Sequence, residues 1–231
     1  MPALTPTPAQ NLATLSERIR RLAPGRAVQL VAVTKSVDAA TALELARAGA
    51  ADLGENRIDA LEAKAAALRD AGAAVRWHYL GHLQTNKARR AARVVDVLHS
   101  LDSADLADKL EKELAAAGRS MAVYLQVKLS GEPTKTGLER SELGALARHV
   151  QRCPHLRLSG LMAMAPLDVP EREAAARAVF RELRGLRDAL QAQLGLALAC
   201  SMGMSEDYAI ALEEGADVLR IGSLLFAGEA A

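Results

Sequence analysis

At 231 residues the chain can bury a full core, and it falls within the roughly 200–250 residues of one eight-fold α/β barrel. Half of its residues are hydrophobic and a quarter charged, which argues against global disorder. The 29 Lys and Arg against 28 Asp and Glu leave a formal charge of +1, which gives no support for a broad nucleic-acid-binding surface. The two cysteines, Cys153 and Cys200, form no CxxC pair, so neither a disulfide framework nor a cysteine-rich metal site is expected. MPALTPTPAQ at the start lacks the basic region and apolar core of a secretory signal, and no apolar run reaches bilayer length. The expectation is a soluble cytoplasmic protein with no membrane partner.

Three prolines in residues 1–10 suggest a flexible lead-in, followed by one barrel domain over 11–231. Helical spacing through Leu12, Leu15, Ile19 and Leu22 predicts a first helix over Asn11 to Leu22, broken by Pro24 and Gly25. The first strand is expected from Val28 to Thr34, running into Lys35. Asp38 then caps a helix closed by Gly49. Ala50 to Leu53 leads into GENR, a helix covers about Ile58 to Leu68, and VRWHYLG reads as the third strand. VVDVLHS is the fourth, with Ser103 or its neighbour opening a helix that ends near Gly118. MAVYLQVKL and LRLSGLMAM are strands five and six, separated by the turn-rich GEPTKTG and a helix over Glu139 to Val150. A long helix from Pro170 to about Leu194 precedes LALACSMGM. A short helix and ADVLRIGSLLF complete the chain. Eight strand–helix alternations with short joints favour a closed parallel (β/α)8 barrel, and an open doubly wound sheet is the alternative.

In this reading polar residues gather where strands end, the face at which barrels bind ligands. Lys35 reads equally as a snorkelling lysine or as an amine in a crowded site, where burial would free it to attack an aldehyde. The joint SMGM–SED places Ser201, Gly203 and Ser205 after strand seven, and Gly222 and Ser223 follow strand eight. Hydroxyls and backbone N–H groups at two such joints coincide with the usual phosphate site of a barrel. Arg220 stands between Leu219 and Ile221 on an apolar strand and needs a partner, either a carboxylate or a ligand ring nitrogen. His78, His82 and His99 come from separate elements without HxH or HExxH spacing, so no metal site is expected. Trp77 and Tyr79 point to the strand face opposite His78, where at least one should pack against outer helices. Neither GxGxxG nor GxxxxGK[ST] occurs.

AVTKS, GENR, WHYLGHLQTNK, the HS of VLHSLDS, Tyr124 to Ser130 with GEPTKTG, GLMAM, SMGMSEDY and RIGSLLFAG are spread in order along nearly the whole chain. At these stretches the sequence resembles the pyridoxal phosphate homeostasis protein family. The resemblance implies a barrel of the alanine-racemase N-terminal type holding pyridoxal 5'-phosphate, with Lys35 as the Schiff-base lysine. It implies Ser201, Gly203, Gly222 and Ser223 at the phosphate and Arg220 at the ring nitrogen. Asn56, His78 and Met162 fall in the family's pocket. Lys135 matches a loop lysine that could be a secondary contact, whereas Ser36, Val37 and Asp38 stand where many relatives have a second lysine. With Ala231 following soon after the last expected strand, the racemases' second domain is not expected. The implied role is cofactor binding and delivery without strong catalysis, as a monomer or weak dimer. Apo-forms of pyridoxal-phosphate enzymes are the implied partners, and no nucleic acid is expected. The alternatives are a pyridoxal-phosphate-dependent racemase or decarboxylase of small amino acids, and a barrel enzyme whose Lys35 forms imines with sugar aldehydes.

Overall fold

The computed structural model describes residues 6–129, 136–166 and 169–227. Helix α1 (Pro8–Leu22) leads into β1 (Gln29–Val33), α2 (Ala39–Arg47), β2 (Asp52–Glu55), α3 (Ile58–Asp70) and β3 (Arg76–Tyr79). A 3-10 turn over Thr85–Lys87 opens into α4 (Ala88–Val94), followed by β4 (Val97–Leu101), α5 (Ala104–Ala117) and β5 (Met121–Gln126). Then come α6 (Leu143–Val150), β6 (Leu156–Met162), α7 (Arg172–Leu194), β7 (Ala199–Ser201), α8 (Tyr208–Glu213), β8 (Val218–Ile221) and α9 (Ser223–Ala227).

All eight strands pair in parallel and in sequence order, and β8 returns to β1 through the pairs Gln29 with Val218 and Ala32 with Ile221. That last pairing rules out the open sheet. The strand alternation sorts residues between two cores. Trp77, Tyr79, Leu98, Leu125, Leu161, Cys200, Leu219 and Ile221 pack outward against the helices. Val31, Val97, Ala122, Tyr124, Met162 and Val218 form a separate cluster inside the barrel. Both aromatics flanking His78 are therefore outward packing residues.

Two boundaries differ from the sequence expectation. α1 begins at Pro8 and not at Asn11 because Thr7 and Gln10 form a reciprocal capping box, with proline at the first helical turn. There its missing N–H costs nothing and its fixed φ suits the helix, so a proline read as a loop marker starts the element. β7 is only three residues of the LALACSMGM run. Gly203 turns the backbone away at φ +93°.

The β6–β7 seam sets a strict steric condition. A Cβ on Gly160 would sit 1.9 Å from the Ala199 carbonyl oxygen, whereas one on Gly185 in α7 would meet nothing within 4 Å. Gly160→Ala should therefore destabilise by about 3 kcal/mol or more, at the upper end for single substitutions. Gly185→Ala should stabilise by about 0.5–1 kcal/mol through helix propensity. Urea unfolding of the two variants against the parent measures both, and an unaffected Gly160→Ala would contradict the seam geometry.

Candidate functional site

The strands' carboxyl ends open into a cavity of about 470 Å³, a size suited to a small organic ligand. β1 and its turn supply Val33 and Lys35, and Asn56 follows β2. His82 follows β3, and His99, Gln126 and Met162 come from β4, β5 and β6. Ser205 follows β7, and Arg220, Gly222 and Ser223 come from β8 and its joint. Lys35, Asn56, Met162, Arg220, Gly222 and Ser223 are thus brought together as expected from sequence. Lys35 is exposed, not buried in a crowded site. It occupies a turn closed by the Val37 N–H donating to the Thr34 carbonyl at 3.1 Å.

Ser201, Gly203 and His78 do not line the cavity. Ser201 is fully buried inside the barrel with its hydroxyl already engaged. Gly203 serves packing: a Cβ there would lie 2.6 Å from the Ala211 Cβ and 2.8 Å from Leu219 Cδ2, where α8 crosses β8. The cavity hydroxyl of the β7 joint is that of Ser205, four residues beyond Ser201, and it accepts the Gly222 N–H at 3.3 Å. This bond ties the two joints together. With Ser223 it places two hydroxyls on the cavity wall. Lys135 lies outside the described residues.

Below the cavity the barrel interior holds a chain of polar groups. Arg220 is fully enclosed, and desolvation pushes its guanidinium down to about 10 despite the favourable field of Asp207, so it remains a cation at neutral pH. It donates to the Ser201 Oγ at 2.7 Å and to the Ala163 carbonyl at 3.1 Å. Ser201 Oγ is 2.9 Å from His99 Nδ1, His99 Nε2 is 2.8 Å from His78 Nδ1, and His78 Nε2 is 2.9 Å from Asp52 Oδ1. A carboxylate at the far end only accepts, so His78 carries its proton on Nε2. With His78 Nδ1 accepting, every following link is then determined. His99 donates from Nε2 to His78, Ser201 donates to His99, and Arg220 donates to Ser201. The links run in one sense from a cation to an anion, the arrangement in which hydrogen bonds reinforce each other.

Burial above all, with the Arg220 guanidinium nearby, holds His99 well below the usual imidazole range. Burial works to raise Asp52, but the hydrogen bonds from His78 and Arg76 outweigh it and hold the carboxyl below its ordinary range. Stacking of His99 on Tyr124, with ring centroids 4.6 Å apart and 8° between planes, fixes the imidazole plane. Of the residues that matter here, sequence reading gave too little weight to His99 and Ser205. The signal for His99 was its inward alternation with Val97 on β4.

The depressed His99 makes a pH prediction. In the unfolded chain a histidine takes up a proton near pH 6.5, whereas in the fold it does not until well below that, so stability falls as pH drops below about 6.5. His99→Asn should reduce the slope of unfolding free energy against pH by up to about 1.4 kcal/mol per unit as the pH falls through the range below that value. Denaturant titrations between neutral and acid pH measure it, and identical slopes would show that His99 is already charged in the fold.

A closed parallel barrel with a lysine after its first strand and paired hydroxyl joints after its last two is the architecture of a phosphate-cofactor-binding barrel. Residues 9–230 match the family model for the alanine racemase N-terminal domain. The pyridoxal phosphate homeostasis protein of Pseudomonas aeruginosa is 41% identical, with 95% of each chain covered. That of Aquifex aeolicus is 37% identical, covering 94% of this chain and 96% of the relative. Among solved structures, PipY of Synechococcus elongatus with pyridoxal phosphate bound superposes with a TM-score of 0.86 at 38% identity, covering 95% of this chain and all of that one. The chain belongs to the pyridoxal phosphate homeostasis protein family, within the alanine racemase N-terminal domain fold.

Proposed function

We propose that the chain binds pyridoxal 5'-phosphate in the cavity at the carboxyl end of its barrel and serves the intracellular homeostasis of that cofactor. The observation that carries this reading is the convergence of Lys35, the Ser205–Gly222 joint with Ser223, and Arg220 on one cavity of about 470 Å³. The donor set fits the group: a primary amine for an aldehyde, two hydroxyls for a phosphate and a buried cation for a ring nitrogen. Bound there, the cofactor supplies an electrophilic aldehyde and an electron-withdrawing ring. Lys35 would hold the aldehyde end through its primary amine. Ser205 and Ser223 hold the phosphate. Arg220 would stand at the ring nitrogen and oppose its protonation, because a second positive charge beside a guanidinium is costly in a dry site.

These residues retain the cofactor better than they activate it. His78 and Tyr79, the side chains that could act as an acid–base partner, are buried and do not line the cavity. His99 lines it but both of its ring nitrogens are committed to the interior chain. His82 also lines it, half-exposed and 3.4 Å from Asp102. The exposure of Lys35 suits reversible capture and release to apoenzymes. Among the described residues no helix is long and apolar enough to cross a membrane.

Lys35→Ala should abolish the yellow absorbance of the loaded protein and the borohydride-trapped adduct while leaving the circular dichroism unchanged. An adduct mapped to another lysine would overturn the assignment. Ser205→Ala with Ser223→Ala should weaken pyridoxal 5'-phosphate by roughly 1.5–3 kcal/mol per lost charge-assisted bond and pyridoxal hardly at all. Parallel weakening of both ligands would place the phosphate elsewhere. Exchange of the α-hydrogen of alanine and serine in heavy water should stay far below about 1 per second, the low end of ordinary turnover. A faster rate that vanishes in Lys35→Ala or His82→Ala would make this protein an enzyme.

A further inference from the structure

The turn that presents Lys35 is gripped by an ion pair that does not line the cavity. Thr34, the residue before Lys35, is fully buried and held at three points. Its N–H donates to the Gly54 carbonyl at 2.9 Å, its hydroxyl donates to Glu55 Oε1 at 2.8 Å, and its carbonyl accepts from Lys64 Nζ at 2.6 Å. The same carbonyl accepts the Val37 N–H that closes the turn, and Lys64 Nζ lies 2.5 Å from Glu55 Oε1. Both charged side chains are nine-tenths or more buried.

Stability alone does not account for this pair. Lys64 occupies a position in the core-facing stripe of α3 with Ile58, Leu61 and Leu68, where an apolar side chain would pack without desolvating a charge. Replacing buried ion pairs by apolar residues is often neutral or favourable. Glu55 Oε2 is in addition buried without a hydrogen-bond partner, so the carboxylate is incompletely satisfied in its place. What the arrangement secures is the orientation of one peptide group, the one joining Thr34 to Lys35.

We propose that Glu55 and Lys64 are positioning residues for Lys35. They fix the Thr34–Val37 turn so that the lysine amine meets the aldehyde of pyridoxal 5'-phosphate along a productive line of attack. This rests on the reading of Lys35 as the covalent residue. In the step concerned, the Lys35 nitrogen forms a bond to the aldehyde carbon. The carbonyl oxygen leaves as water, taking both protons of the neutral amine. The pair touches neither reacting atom and acts through the backbone, so its effect falls on the rate of bond formation more than on noncovalent affinity.

Two probes separate these effects: pyridoxal 5'-phosphate, which can bond to Lys35, and pyridoxine 5'-phosphate, an alcohol that can only bind. Lys64→Met should slow the appearance of the yellow band and of the borohydride-trapped Lys35 adduct by about ten- to a hundredfold, the scale of a misplaced reacting group. The dissociation constant of pyridoxine 5'-phosphate should change by less than about threefold, a small fraction of the binding free energy. Lys64→Met alone leaves Glu55 uncompensated, so the double variant Glu55→Gln/Lys64→Met, which removes both charges, is the second arm and should capture as slowly. Capture at the wild-type rate in the double variant would overturn the inference, as would equal losses for both probes. Wild-type protein trapped at a lysine other than Lys35 would instead overturn the proposed function, and this inference with it.

Discussion

A guanidinium buried in the middle of a barrel must be given acceptors, and much of the interior follows from that requirement. Arg220 is fully enclosed, and its hydrogen bonds go to a hydroxyl and a carbonyl oxygen. The carboxylate whose field favours the guanidinium is that of Asp207, and the hydroxyl that Arg220 bonds is linked through His99 and His78 to Asp52. Each of Ser201, His99 and His78 takes an inward strand position that an apolar side chain could fill, so the barrel gives up apolar packing to supply these bonds. Asp52 is itself held from outside by the Arg76 guanidinium at 2.7 Å, which anchors the chain of bonds at the opposite end from the cavity. The cavity therefore rests on a floor whose polarity is set at several strands at once.

Much of the fold was legible because its signals are local and repeated. Eight apolar runs separated by capped helices sufficed for the barrel, and Lys35, Arg220, Gly222 and Ser223 could be placed at the ligand face from strand ends alone. Roles that depend on which of two similar groups reaches the cavity were not legible. Ser201 and Ser205 lie in one short joint, and only the turn at Gly203, φ +93°, decides that the second faces the cavity while the first stays under Arg220. Lys64 was invisible for a related reason. In sequence it reads as a solvated lysine on an amphipathic helix, and its partner Glu55 belongs to another element. At the N-terminus the reading failed in the opposite direction. Pro8 has the same composition signal in a loop and in a first helical turn, and Thr7 with Gln10 resolves the ambiguity only through their paired bonds.

The two halves of the site differ in character. The β1 side is mechanical: a turn, a gripped carbonyl and an exposed amine. The β8 side is electrostatic: hydroxyls at the joints and a buried cation that Asp207 supports against burial. In the proposed reading, a ligand that is both an aldehyde and a phosphate engages the two halves together. Simple aldehydes and simple phosphates engage one half each. Selectivity for the doubly equipped ligand thus follows from placing the halves on adjacent strands of a closed ring.

That ring closure also bears on the protein during its own synthesis. β1 pairs with β8, and Asn11 of α1 donates to the Leu225 carbonyl of α9 at 3.1 Å, so the early part of the chain waits for the late part. On the ribosome Lys35 emerges long before Arg220 and Ser223, with nothing opposite to it. Until β8 docks, the amine is an ordinary surface lysine open to any passing aldehyde. Only a chain translated through its last strand gains the ability to choose. In the proposed reading, holding the aldehyde and the phosphate of one ligand together is for that reason confined to a chain whose last strand has docked.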